Sequence, residues 1–409
     1  MEGSMKVLKG ILAVIVALMV LLGGMILLCA ANPDLSENLG KKIRGEKTAA
    51  EETLPAGETD AQPEDTNGAV TGDTQQEATD NIQQQEKPAE NSQDVKEANS
   101  GVQPPEQTVL EEQKPARGAE GYEIPDESSI QIPQAVSGKG GYTPISETSV
   151  ELTGADGGEY TSSLGYGETG DGLTFDSAMY PYYYMLDEKG KHLYRQIYAN
   201  ALAVNKEFVP IEAVPVTQIK NVVEAVYNDH PELFWLNTAF TCKYDKNKIC
   251  AELALEFNQL AENLADNSRM LGNEANRILT QVQNLGSDQE KEKALHDILI
   301  QEVEYDTSAD MNQSVYSALV NKKSVCAGYA RGLQYLMQRL GIPCYYCTGY
   351  AGQDHAWNIV KLGDIYYNVD VTWDDTPGGE YDYYNKSDKE FASTHIRKSL
   401  SVDLPGCDG

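Results

Sequence analysis

Where the aromatic residues lie limits this chain more than its length does. Its 24 Tyr, 6 Phe and 3 Trp all stand at or after Tyr122. Globular cores are built around large apolar and aromatic side chains, so a stretch this long without one aromatic is not expected to be a domain. Length alone allows two or three domains in 409 residues, but the folded part must lie in the C-terminal two thirds. The chain also carries a formal net charge of -31. A surface that acidic repels phosphate and argues against nucleic acid as a partner.

Behind a short tail, residues 1–9, the run 10–31 (GILAVIVALMVLLGGMILLCAA) is uncharged throughout. As a helix it is long enough to cross a hydrocarbon core of roughly 30 Å, so it reads as a transmembrane anchor or an uncleaved signal. Cleavable signals have shorter apolar stretches, of about 7 to 15 residues, although Cys29-Ala30-Ala31 mimics a cleavage site. Leu27 and Leu28 do not suit lipoprotein processing at Cys29. Lys6 and Lys9 before the run are matched by Lys41, Lys42, Arg44 and Lys47 after it, so the count of flanking positive charges does not fix orientation.

Residues 32–170 are rich in Glu, Gln, Thr, Pro, Ala and Gly and lack apolar periodicity. They are expected to form a disordered acidic spacer with a span on the order of 60 Å, which suits lifting a domain off a membrane. The expected location is therefore the cell membrane, single-pass, with the folded domain extracellular.

Folding signals begin near Phe175. The run Tyr180-Pro181-Tyr182-Tyr183-Tyr184 suits a packed aromatic segment better than a carbohydrate-stacking patch. Leu193, Ile197, Ala201 and Val204 recur at helical spacing, and Thr217 is placed to cap a second helix carrying Ile219, Val222, Val223 and Val226. Alternation across Asp245-Lys246-Asn247-Lys248 predicts a hairpin. These elements make residues 171–285 a helical and β-hairpin region. A capping box at Ser287 to Glu290 then opens a helix with Leu295, Ile298, Leu299 and Val303 on its apolar face, and residues 286–409 form the domain that carries the chemistry.

Cys326 begins a helical stripe, Leu333, Leu336, Met337 and Leu340, that stops at Gly341-Ile342-Pro343. Unpaired backbone N–H groups at a helix start favour a thiolate, the nucleophilic form. His355 is the candidate base. If Gly363-Asp364 is a two-residue turn, Leu362 pairs with Ile365, His355 comes opposite Thr372, and Asp370 lies diagonally on the same face. A thiol, an imidazole to move its proton and a carboxylate to orient the imidazole complete a Cys-His-Asp triad.

The segments SVCAGYARGLQYLMQRLGIPCYYCTGY, HAWNIV and YYNVDVTWDD resemble the three core blocks of the transglutaminase-like superfamily, in their usual order. EKEKALHD, VEYD and NDHPELFW extend the resemblance upstream, as in membrane-anchored or secreted members from anaerobic Gram-positive bacteria. The resemblance implies a papain-related α+β fold with the nucleophile helix packed on an antiparallel sheet bearing His355 and Asp370. It also implies thiol chemistry on amides: attack by Cys326, protonation of the leaving nitrogen by His355, and a thioester resolved by water or an amine. The substrate would be protein or peptide at the cell envelope.

Gln313 is a candidate side-chain oxyanion donor, and Trp357 and Trp373 are candidate walls of the cleft. Asp374 and Asp375 stand in reserve for Asp370. Cys242 and Cys250 sit where a cross-strand disulfide is plausible, and Cys344, Cys347 and Cys407 are further candidates, with Cys407 open to pair with either. A zinc site from Cys344, Cys347 and His355 lacks a fourth ligand and would consume the base, so no metal or cofactor is expected. The alternative to an enzyme is a non-catalytic surface domain that keeps the fold for binding.

Overall fold

The computed structural model describes residues 121–153, 160–377 and 381–409. The anchor expected at 10–31 lies outside them, as does most of the acidic spacer. Among the described residues no helix is long and apolar enough to cross a membrane. The spacer expectation is corrected in its last part. Residues 121–153 carry a strand, β1 (Ser146–Glu151), and buried Val136, Tyr142 and Ile145. Composition missed this because the segment has little core of its own and is ordered by contacts with residues far along the chain.

The helical region starts with α1 (Pro181–Met185), opened by Pro181 in its first turn, and α2 (Glu188–Leu202), capped by the Asp187 carboxylate accepting from Gly190 N at 2.7 Å. Tyr182 and Tyr183 of the aromatic run are buried, in keeping with a packing role. After a short β2 (Glu207–Phe208), α3 (Val216–Asp229) begins two residues earlier than expected. Pro215, not Thr217, stands at the N-cap position, and Val216 N is already claimed by Lys248 O. The hairpin is β3 (Leu236–Tyr244) with β4 (Cys250–Phe257), extended to the sheet order β1-β3-β4-β2.

Next come α4 (Leu264–Val282) and α5 (Asp288–Glu302). The capping box at the start of α5 is complete: Glu290 N donates to Ser287 Oγ, and Ser287 N donates to the Glu290 carboxylate at 2.9 Å. Two short parallel strands, β5 (Glu304–Tyr305) and β6 (Lys323–Ser324), precede α6 (Cys326–Arg339). Helix α6 ends at Gly341, whose φ of +74° suits a residue without a Cβ.

The second sheet has the order β10-β7-β8-β9, all antiparallel, from β7 (Cys344–Tyr350), β8 (Asp354–Leu362), β9 (Ile365–Val369) and β10 (Ile396–Arg397). Two short helices, α7 (Val371–Asp374) and α8 (Asp388–Phe391), lie between β9 and β10. Leu333, Leu336 and Met337 of α6 are buried, and the helix packs on β7 and β8. This is the expected α+β arrangement of a helix on an antiparallel sheet. The regions 171–285 and 286–409 share one apolar core. Buried Arg331 of α6 joins them by donating to Tyr227 O at 2.6 Å and His230 O at 2.9 Å.

Candidate active site

Cys326 is the first residue of α6. Val325 before it has no side-chain acceptor to cap the helix, so the first turn keeps N–H groups that a ligand oxygen can use. His355 is the second residue of β8 and pairs with Gly349 of β7. The turn at Gly363 sets Leu362 opposite Ile365, as the spacing predicts, but the ladder ends at Asn358 and Val369. His355 is thus not opposite Thr372, because the chain leaves the sheet at Asp370 to enter α7.

That departure places Asp370. Its Oδ1 caps α7, accepting from Thr372 N at 3.1 Å and Trp373 N at 3.2 Å. Its Oδ2 lies 2.7 Å from His355 Nε2 and 3.2 Å from His395 Nε2. Burial opposes charge on both Asp370 and His355, yet the pair overcomes it. The Asp370 carboxylate is held well below its usual range by His355, with His395 adding to the effect. Burial would lower the His355 pKa, but Asp370 and then Cys326 raise it to about 10. His355 Nδ1 is buried and makes no hydrogen bond within the described residues.

His395 was not singled out in the sequence. It belongs to no block, and only its rarity, one of five histidines, marked it. Burial first, and then the nearby His355, push its pKa down to about 4 although Asp370 favours the cation. His355, Asp370 and His395 are also the group of side chains among the described residues that could hold a metal ion. The zinc set of Cys344, Cys347 and His355 is not that group.

Trp357 and Trp373 both flank the imidazole. Their ring centroids lie 6.2 Å and 5.4 Å from that of His355, and Trp373 comes within 4.5 Å of His395. Trp357 Nε1 donates to Asn368 Oδ1 at 3.0 Å, whereas Trp373 Nε1 is buried with no partner among the described residues. Asp374 and Asp375 do not replace Asp370. Asp374 accepts from Tyr383 N at 2.9 Å and lies 3.0 Å from His296 Nε2, while Asp375 accepts from Tyr329 at 2.7 Å.

Gln313 corrects an expectation. Its amide nitrogen donates to Gly141 O at 2.8 Å and Asn312 Oδ1 at 2.9 Å, so both hydrogens are committed, and its oxygen accepts from Thr143 N. Here it fastens the 140s segment instead of pointing a donor at a reacting carbonyl. The other cysteines among the described residues are all buried free thiols. Cys242 and Cys250 have sulfurs 3.1 Å apart, and Cys407 accepts from Arg397 at 3.3 Å. Cys344 and Cys347 lie on β7 three residues apart, an odd spacing that sends them to opposite faces of the strand.

Residues 276–371 match the transglutaminase-like superfamily, a span that includes Cys326, His355 and Asp370. Among solved structures, the chain is similar to a proposed cysteine protease from Cytophaga hutchinsonii at 16% identity and a TM-score of 0.25, covering 36% of this chain and 55% of that one. It is also similar to a TGase at 14% identity and a TM-score of 0.23, covering 41% and 50%. A proposed protease from Parabacteroides distasonis matches at 12% identity and a TM-score of 0.22, covering 38% and 32%. The chain thus spans about half the length of the first two. No curated protein matches it.

Proposed function

We propose that this protein is a thiol-dependent acyl-transfer enzyme acting on protein or peptide amides, with Cys326 as nucleophile, His355 as acid and base, and Asp370 as the group that orients His355. The observation that carries this is the placement of His355, buried between the Asp370 carboxylate and the thiol at the start of α6. With Nε2 taken by Asp370, Nδ1 is the nitrogen left to exchange a proton with Cys326. The thiolate adds to the amide carbonyl carbon, and first-turn N–H groups of α6 hold the resulting oxyanion. Collapse breaks the C–N bond as the imidazolium passes its proton to the departing nitrogen. The thioester left on Cys326 is then attacked by water, giving a peptidase or amidase, or by an amine, giving a transglutaminase. The uncharged run 10–31 supports a single-pass setting at the cell envelope, with substrates met outside the membrane.

The test is the pH dependence of iodoacetamide alkylation at Cys326 in the full chain. The wild type should react at pH 6 about tenfold or more faster than His355→Ala, the two converging above an ordinary thiol pKa of about 8.5. A rate that rises only near that pKa and is the same in both proteins would sink the proposal. Anything that merely covers the thiol scales both rates alike and leaves the comparison intact.

A further inference from the structure

Cys326, His355 and Asp370 are at most 1% exposed, which is unusual for groups meant to meet a polymer. Beside them lies a stretch, residues 132–143, of the segment whose composition looked like spacer. Val136 sits in a small apolar cluster with Ala351 and Trp373, and Ile132 packs beside it. The next residues run past the site in contact with the immediate neighbours of its key groups. Gly141 N donates to the carbonyl of Asp354, the residue before His355, at 3.2 Å. A Cβ on Gly141 would come within 3.3 Å of the side chain of Val325, the residue before Cys326. Tyr305 donates its hydroxyl to Gly138 O and Gly140 O, and Gln313 holds both Gly141 O and Thr143 N.

We infer that the groove over Cys326 is a peptide-binding cleft occupied in this structure by the chain's own residues 132–143, and that peptides replacing them carry a basic side chain with a glycine two positions after it. The inference rests on the proposed function only for the purpose of the cleft; the cover itself does not depend on Cys326 being catalytic.

Two kinds of contact lead to this class of ligand. Main-chain hydrogen bonds from fixed partners hold an occupant of any sequence, the usual logic of extended-peptide recognition. Selectivity comes from what surrounds the side chains. Lys139 donates its ammonium to Asp375 O, lies 3.7 Å from the Asp375 carboxylate and stands 5.4 Å over the Tyr305 ring, a seat made for a cation. The second position after Lys139 disfavours a side chain, because Gly141 has a φ of +102° and lies against Val325, whereas a Cβ at Gly140 would only displace the exposed side chain of Gln353, 2.4 Å away. Among the described residues Trp373 Nε1, whose ring packs against Val136, is buried without a partner, as a donor kept for a different ligand would be.

The experiment uses the full chain and reads iodoacetamide alkylation of Cys326 by peptide mass spectrometry. Gly141→Val cannot keep its backbone angle and Val136→Asp cannot stay in its apolar seat, so each should raise the rate about tenfold or more. Lys139→Ala removes only the ion seat and should raise it about threefold, which covers the case in which the stronger variants unfold. A synthetic peptide of residues 134–143 added to Val136→Asp should restore protection, and the same peptide with Lys139→Glu should protect at least about tenfold less. Rates equal to wild type in all three variants, or equal protection by both peptides, would overturn the inference. Faster alkylation with no pH 6 advantage over His355→Ala would remove the proposed function and leave the cleft standing.

Discussion

One carboxylate oxygen, Asp370 Oδ2, faces two imidazoles, and the two answer it in opposite ways. His355 has the Cys326 sulfur beside it as well as the carboxylate, and its pKa rises to about 10. His395 is packed against Phe391 at 4.3 Å and Trp373 at 4.5 Å, and burial pushes its pKa down to about 4. The signs of the linked stabilities are therefore opposite. His355, raised, stabilises the fold below its unfolded pKa of about 6.5, and that contribution is lost as pH rises through about 10. His395, depressed, favours the fold above about 6.5, and the fold loses stability as pH falls from there toward about 4 while the unfolded chain takes up the proton. His395→Gln keeps a donor for Asp370 and cannot titrate. Melting curves from pH 7 to pH 4 should show a shallower loss of Tm in His395→Gln than in the wild type. Its alkylation rate at pH 6 should stay within about threefold of wild type, unlike that of His355→Ala. A matching loss in both variants would mean that His395 shares the proton work.

At the scale of elements, what could be read from sequence was what local rules decide. The Ser287 box, the turn at Gly363 and the start of α6 at Cys326 follow from capping, turn chemistry and helical spacing, each contained within a few residues. His395 and the 140s segment escaped for the opposite reason. Their order comes from partners as distant as Asp370, Tyr305 and Gln313, and Gly141, which looks like linker, holds a φ of +102° against Val325. The β3–β4 hairpin joins both cases. Its strands were legible, but a register shift between Lys243 and Tyr244 sets Cys250 opposite Tyr244, and the two sulfurs still come within 3.1 Å. Refolding with oxidised glutathione should join Cys242 to Cys250, seen as a loss of two hydrogens in the linked peptides. Closing so short a loop should stabilise the chain by about 2.5 kcal/mol in the loop-entropy account, measured as a higher denaturant midpoint than in Cys242→Ser. Two thiols still alkylated separately after that treatment would mean that they are only packed together.

For the whole molecule, the placement of the aromatic residues identified where the core lies, while the spacer-like composition of residues 32–170 set the beginning of ordered chain too late. The first of them, Tyr122, is itself engaged: its hydroxyl accepts from Arg397 N at 2.9 Å and its ring lies 4.2 Å from the Arg397 guanidinium. Chain that covers the cleft is therefore continuous with the acidic stretch that leads back to the apolar run 10–31. If that run anchors the protein, the cleft and its cover stand at the end of a long charged tether, and a net charge of -31 keeps both away from an anionic lipid surface. The expressed full chain should then sediment with membranes, resist extraction by carbonate or salt, and be released by detergent. A variant lacking residues 1–31 should appear in the soluble fraction or the medium with its melting temperature unchanged, because none of the described contacts involves those residues. Protease added to intact cells should remove the folded part if it lies outside the membrane. Full-length protein released by carbonate alone would show that the apolar run does not hold the chain in a bilayer.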